Sequence, residues 1–188
     1  KTVEEEVQEV FLALRENMKV RRFALVEGHT STYIHAGGTV GVLVAFDVDD
    51  ATAAKPEFDA MGKNVAMQIA AMSPKYVRQS EISEEYIAKE KEILKEQAMN
   101  DPANANKPEA IIDKMLVGRL NKQMKEICLV DQAYVKDGDM TVGKYIESVA
   151  KAEGCELDIV KFVRFATGEG LEKKNENFAE EVAKQMGQ

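Results

Sequence analysis

The chain has 188 residues, of which 45% are apolar and 31% charged, a composition typical of a folded globular protein. Its formal net charge of −8 disfavours direct binding of nucleic acid, and no run of about 18 apolar residues is present to cross a membrane. Cys128 and Cys155 form no Cys-x-x-Cys pair, which excludes a zinc ribbon or thioredoxin-type site and favours reduced thiols in a cytoplasmic protein.

An amphipathic helix is predicted over residues 3–16. Apolar side chains recur there at steps of three or four, and the glutamates that follow Thr2 favour the positive end of a helix dipole. We therefore expect the helix to begin at Thr2 and to present one apolar stripe. The stripe consists of Val3, Val7, Val10, Phe11 and Leu14.

Three strands are predicted next, over residues 18–27, 31–36 and 39–48. Gly28 separates the first two, and the pair Gly37-Gly38 separates the second from the third. Glycines adopt the positive φ angles that tight hairpin turns require. The pattern therefore predicts an antiparallel meander.

A second amphipathic helix is predicted over residues 57–72, ending before Pro74. Asp47, Asp49 and Asp50 end the strand predicted over residues 39–48, and they form a carboxylate cluster of the kind that binds metal ions. Because no further ligands follow at a suitable spacing, we interpret these residues as solvated loop acids.

Residues 80–127 differ in character from the rest. Ser83 is suited to cap a helix, a breaker with prolines occupies residues 100–108, and a second helix of similar length follows. The pattern predicts an antiparallel helical hairpin. Its apolar seam is narrow, which favours a protruding coiled-coil arm that contacts another protein; the alternative is an arm that packs only on itself.

The remaining residues return to a globular pattern. A helix is predicted from Thr141 to Gly154, followed by a strand over residues 157–166. A last helix is predicted over residues 175–188. On one of its faces lie Phe178, Val182 and Met186, spaced by four.

A short internal repeat links the two ends of the chain. Residues 21–28 (RRFALVEG) match residues 163–170 (VRFATGEG) at five of eight positions, and each stretch follows a helix that begins Thr-Val. This suggests a duplication whose first copy shows only its closing helix and strand. We therefore expect further sequence upstream of Lys1.

The predicted fold class is α+β, with two related subdomains that each have a small antiparallel sheet flanked by helices, and an inserted helical arm. Residues 1–28 are assigned to the remainder of the first subdomain. The second subdomain comprises residues 29–79 and 128–174, the arm residues 80–127, and a C-terminal helix residues 175–188.

The sequence offers little for catalysis. His29 and His35 are the only histidines, too few for a three-histidine zinc site, and no glycine-rich nucleotide motif or serine-hydrolase elbow is present. We expect no catalytic residue, metal or cofactor, and favour an interaction protein over an enzyme. A hydrolase that uses His35 with a carboxylate is a minor alternative.

Several segments, in order along nearly the whole chain, resemble one family, the bacterial elongation factor Ts proteins, which are exchange factors for the GTPase elongation factor Tu. They are residues 16–28, 33–44, 67–74, 129–137, 141–146 and 162–186. The resemblance implies that the chain binds nucleotide-free elongation factor Tu in the cytoplasm and promotes GDP release, without catalytic side chains. The family's Thr-Asp-Phe-Val motif, which inserts into the GTPase, does not occur in these residues. We therefore expect docking with poor exchange; a structural homodimerisation module that uses the arm is the alternative.

The resemblance also implies a set of partner-binding residues. In this set Arg15 stands where the family has glycine, and Ala133, next to the set, stands where the family has proline. The set comprises Leu14, Arg15, His35, Gly37, Gly38, Val135, Phe178, Val182 and Met186.

Overall fold

The computed structural model describes residues 1–104 and 107–171, so the predicted helix over 175–188, with Phe178, Val182 and Met186, lies outside the described residues. The helices are α1 (Val3–Leu14), α2 (Asp50–Ala53), α3 (Pro56–Met72), α4 (Glu84–Asn100), α5 (Glu109–Ile127) and α6 (Val142–Glu153). The strands are β1 (His29–His35), β2 (Val40–Asp47), β3 (Ala133–Tyr134), β4 (Asp137–Thr141) and β5 (Asp158–Ala166). This mixture of helices and small antiparallel sheets confirms the predicted α+β class.

A three-stranded antiparallel sheet with the order β1-β2-β5 organises the fold. His35 pairs with Val40 across the first hairpin, and Leu43 pairs with Val163 across the second interface. The hairpin and the strand predicted over residues 157–166 are therefore confirmed. A two-stranded sheet of β3 and β4 is joined to α3 by the hydrogen bond from Gln68 to the carbonyl of Ala133, and α3 also contacts α6.

The core lies between this sheet and α3. Helix α3 turns Met61, Val65 and Ile69 towards the sheet and the neighbouring elements, and all three side chains are fully buried. Each such side chain contributes roughly 1.5–3 kcal/mol to the free energy of unfolding. Gly62 allows the helix to approach β1 closely, because its missing Cβ would overlap the side chain of Ser31.

Residues 18–27 do not form the predicted strand. They run beside β5 without helix or strand hydrogen bonding, and Phe23 and Leu25 are 86% and 78% exposed. Side chains hold the segment instead: the Arg22 guanidinium lies 4.7 Å from the centre of the Phe165 ring. The residues have strand propensity, but they form no ladder of backbone hydrogen bonds with β5 beside them, so propensity alone does not make a strand here.

Helices α1 and α6 are alike in ways that extend the sequence repeat. Both have twelve residues, both begin after a threonine whose hydroxyl accepts a hydrogen bond from the backbone, and both end at a left-handed residue. They differ in packing: Val142 and Ile146 of α6 are buried, whereas α1 buries none of its residues among those described. The likeness favours a duplication, which stays a prediction, as does the division into domains.

The two helices predicted for the arm are present and pack against each other. Met124 near the end of α5 contacts the start of α4 through a cluster that includes Ile82 and Tyr86, so the helices are antiparallel. The chain leaves the core and returns at adjacent points, since the amide of Leu129 donates to the carbonyl of Tyr76 at 2.9 Å. Among the described helices, none combines the length and apolarity needed to cross a bilayer.

Candidate partner-binding surface

The turn that joins β1 to β2 is a compact exposed tip. Ala36, Gly37 and Gly38 have φ angles of 46°, 66° and 101°, so three successive residues adopt positive φ. Glycine takes this conformation without steric cost, which accounts for the pair Gly37-Gly38. The amide of Thr39 closes the turn by donating to the carbonyl of His35 at 3.1 Å. The tip therefore has a defined shape before any partner arrives.

The imidazole of His35 is exposed at the base of this tip. Its Nδ1 lies 3.1 Å from the hydroxyl of Tyr33, and the two ring centres are 5.8 Å apart. Tyr33 packs against the core, so it sets the orientation of the exposed ring. Nδ1 faces Tyr33, and the Nε2 edge of the ring points the opposite way, which makes it the edge available to a partner.

The other histidine lies at the opposite end of β1. Nε2 of His29 contacts the Asp50 carboxylate at 2.9 Å. Six residue steps separate His29 from His35, about 20 Å along a strand. The two histidines therefore belong to different sites and do not form a shared ligand set or catalytic pair.

One of the predicted loop acids, Asp49, has a structural role. Asp49 caps α2 by accepting hydrogen bonds from the amide and hydroxyl of Thr52 at 2.9 and 2.7 Å. The bond from the Thr52 hydroxyl is the main reason that the pKa of Asp49 is lowered from its ordinary value. Among the described residues, no three His, Cys, Asp or Glu side chains are grouped so as to hold a metal ion.

Val135 lies between β3 and β4 and is 44% exposed, although its neighbours are anchored. Tyr134 is buried and stacks on Tyr145 with ring centres 4.3 Å apart. Burial, followed by the contact with Tyr145, raises the pKa of Tyr134. The amide of Val135 donates to Oε1 of Gln68 at 2.8 Å. The backbone is thus fixed while the valine side chain faces outwards.

Leu14 and Arg15 lie at the end of α1, where Leu14 is 60% exposed. Arg15 adopts φ 57° and ψ 29°, the left-handed conformation that glycine favours, and its amide donates to the carbonyl of Phe11 at 2.7 Å. Arginine therefore keeps the backbone shape of a glycine cap here. An apolar groove of about 500 Å³ lies between α1 and residues 18–20. The groove is lined in part by Val3, Val7, Val10, Met18 and Val20.

The structure gathers some of the predicted residues and separates others. His35, Gly37 and Gly38 form one tip, Leu14 and Arg15 form the end of a helix, and Val135 lies on a third element. Gln68, whose side chain holds the Val135 backbone, is not among the residues predicted from the sequence. The feature of the sequence that could have revealed it is a polar residue between Val65 and Ile69, on the face of an amphipathic helix that is otherwise apolar and buried.

The surroundings of the Cys128 thiol disfavour a nucleophilic role. Burial, assisted by the nearby charges of Asp131 and Glu81, raises the pKa of Cys128 to about 11. A thiol with so high a pKa stays protonated and inert at neutral pH. Cys155 is half-buried and, like Cys128, a free thiol.

The model of the family described as "Elongation factor TS" matches residues 1–169 of the chain. The chain is 46% identical over 190 residues to "Elongation factor Ts" of Clostridium perfringens strain SM101, covering 100% of this chain and 60% of that protein. The same-named protein of Clostridioides difficile strain 630 is 46% identical over 187 residues, covering 98% and 59%. That of Clostridium botulinum strain ATCC 19397 is 42% identical over 193 residues, covering 100% and 60%. The chain thus spans about 60% of the length of these curated relatives.

Proposed function

Because the chain belongs to the elongation factor Ts family, we propose that it acts in the elongation step of translation by docking on the GTPase elongation factor Tu in the cytoplasm. The finer proposal is that it binds the nucleotide-free form and so promotes GDP release. The observation that carries the docking proposal is the preformed tip, in which His35 stands exposed beside Gly37 and Gly38.

Nucleotide exchange of this kind requires no catalytic side chain. A protein that binds the empty GTPase more tightly than the GDP-bound form must, by reciprocity, weaken GDP binding by the same factor. Each tenfold weakening requires roughly 1.4 kcal/mol of differential contact. The proposed role is therefore compatible with a surface that offers shape and exposed contacts rather than reactive groups.

The contact elements are rigid or anchored, which favours docking. The tip has a closed backbone, Val135 has a hydrogen-bonded amide, and the Leu14–Arg15 corner ends a capped helix. Preorganised elements lose little conformational entropy on binding. Phe178, Val182 and Met186 remain predicted contacts on residues outside the described ranges.

We expect docking to exceed exchange for this chain. No Thr-Asp-Phe-Val sequence occurs in the 188 residues, and the family resemblance assigns intrusion into the GTPase to that motif. The chain should then bind elongation factor Tu and accelerate GDP release only weakly.

A second candidate function is self-association through the arm. Its helices expose large apolar side chains away from the core, which is a feature of helices that meet another protein. Among them are Ile93, Met99, Ile111 and Val117.

Two measurements test these proposals together. Sedimentation velocity of the chain with and without elongation factor Tu reports complex formation and self-association, and release of a fluorescent GDP analogue reports exchange. Docking predicts a complex with slow release. Self-association without any complex would favour the second candidate, and rapid GDP release by this chain would contradict the separation of docking from exchange.

A further inference from the structure

Gln68 is a polar side chain in a place where the helix pattern calls for an apolar one. It is 0% exposed and lies on the buried face of α3, between Val65 and Ile69. Moving a primary amide from water into the protein interior costs free energy unless both its donor and its acceptor find hydrogen-bond partners. The position of Gln68 therefore indicates that its hydrogen bonds have a specific use.

Both ends of the amide contact the chain around Val135. Nε2 donates to the carbonyl of Ala133 at 3.1 Å, and Oε1 accepts from the amide of Val135 at 2.8 Å. The side chain thus bridges two backbone groups on either side of Tyr134. It holds β3 and the following residue against α3 as a two-point clamp.

A second buried glutamine continues the contact towards the arm. Nε2 of Gln68 also donates to Oε1 of Gln132 at 3.2 Å, and Nε2 of Gln132 donates to the carbonyl of Glu126 at 2.8 Å. Glu126 belongs to the last turn of α5, where the arm rejoins the core. The amides therefore link the Val135 backbone, α3 and the base of the arm.

The residues that join β3 to β4 have an independent anchor on Asn64, which lies one helical turn before Gln68 in α3. Oδ1 of Asn64 accepts from Nζ of Lys136 at 2.6 Å, and Nδ2 of Asn64 donates to the hydroxyl of Tyr145 at 2.8 Å. Tyr145 in turn stacks on Tyr134. Loss of the Gln68 clamp should thus loosen the Val135 backbone without detaching the whole loop.

We propose that Gln68 is a positioning residue for partner binding: its clamp fixes the backbone of Val135 so that the exposed valine meets elongation factor Tu in one orientation. This inference rests on the proposed docking function. A contact residue whose support is loose loses affinity even when its side chain is unchanged, because binding must then order it.

The test is a pair of thermodynamic cycles on Gln68→Met, a change that keeps side-chain length and removes the hydrogen bonds. We expect it to weaken binding of elongation factor Tu about fivefold, and Val135→Ala to weaken it about tenfold. The double variant should be about tenfold weaker, not fiftyfold, because the two act on one contact. In the second cycle Gln68→Met is combined with His35→Ala. Because His35 lies on a separate element, the losses of affinity caused by the two changes should multiply.

Hydrogen exchange supplies a readout that needs no partner. In the free chain, the Val135 amide should exchange faster in Gln68→Met, whereas the amides of β1 and β2 should be unchanged. Gln123→Met in α5 is the matched control, since Gln123 donates to Glu90 within the arm, lies outside this amide network and should not couple to Val135→Ala. If Gln68→Met fails to fold, Gln68→Asn replaces it, because its shorter amide stays neutral but cannot reach both the carbonyl of Ala133 and the amide of Val135.

The outcomes separate the two levels of the proposal. If Val135→Ala and His35→Ala weaken binding but Gln68→Met does not, or multiplies with Val135→Ala, the positioning role is wrong and docking stands. If none of the single variants affects binding, docking through this surface is wrong.

Discussion

The hydroxyl of Tyr33 lies 3.1 Å from Nδ1 of His35, so an exposed imidazole is oriented by a residue that packs against the core. The contact joins two residues of one strand that are two positions apart and therefore share a face of the sheet. It gives a surface side chain a preferred direction at the edge of the tip. That direction is what a partner would recognise.

His35→Ala should weaken binding to elongation factor Tu by about 1–3 kcal/mol, because a central contact of the tip is removed. The free energy of unfolding should change by less than about 0.5 kcal/mol, since the ring is exposed. Calorimetric titration and urea denaturation measure the two quantities. His29→Ala is the matched control at the far end of the strand, and an equal loss of affinity in that variant would contradict a specific role for His35.

Arg15→Gly should stabilise the end of α1 by about 0.5–1 kcal/mol. The left-handed backbone costs a non-glycine residue roughly 1–2 kcal/mol, and the greater freedom of glycine in the unfolded chain offsets part of the gain. Hydrogen exchange of amides in the last turn of α1 measures the effect. The reverse change, Gly154→Arg at the end of α6, has open space around it and should lower thermal stability; unchanged stability there would refute the argument.

Gly62→Ala should destabilise the fold by about 1–3 kcal/mol, because the new methyl group would lie 2.7 Å from Cβ of Ser31. Adding Ser31→Gly should recover part of the loss by vacating that space. Gly118→Ala in α5 is the control. A Cβ atom at position 118 would meet no neighbouring atom within 4 Å, so this change should be neutral or stabilising. Denaturant unfolding of the single and double variants measures this, and additive effects would rule out the clash.

The carboxyl of Glu169 should titrate below its ordinary pKa of 4.5. The amide of Ala166 is the main cause and the Arg22 guanidinium, 3.2 Å away, the second. Because the pKa is lowered in the folded state, the stabilisation is present above about pH 4.5 and is lost as the pH falls through the lowered value. Arg22→Gln should raise the pKa of Glu169 only partway towards 4.5, since the Ala166 amide remains.

An NMR titration of the Glu169 side chain follows this change. Arg21→Gln is the matched control, because Arg21 donates to the backbone carbonyl of Glu169 rather than to its carboxylate. A midpoint that does not move in Arg22→Gln would show that the ion pair contributes nothing to the pKa.

Local signals predicted much of the fold. Thr2, Ser83 and Thr141 cap their helices as expected, because a hydroxyl before an amphipathic run satisfies amides that have no partner within the helix. The pair Gly37-Gly38 marked the tip correctly, since positive φ is a local property of glycine. Capping and turn formation depend on neighbours within four residues, which the sequence displays directly.

Features that depend on distant partners were missed. The strand predicted over residues 18–27 does not form because a strand needs backbone hydrogen bonds with a distant neighbour, and propensity does not report whether those bonds are made. Gln68 was overlooked because its partners, Ala133 and Val135, lie 65 and 67 residues away. In the candidate site, the sequence therefore indicated exposed residues that stay predicted contacts, but not the buried residue that holds the backbone of one of them.

The two ends of the helical arm have a further consequence. The backbone amide of Lys75 donates to the carbonyl of Ile127 at 2.8 Å, and the backbone amide of Val130 donates to the carbonyl of Val77 at 3.1 Å. The chain segments that enter and leave the arm therefore lie side by side. A short turn placed at this junction would close the core without moving α3 or the sheet. We therefore expect that the two arm helices can be lengthened, shortened or replaced as one unit, in evolution or by design, while the core keeps its fold.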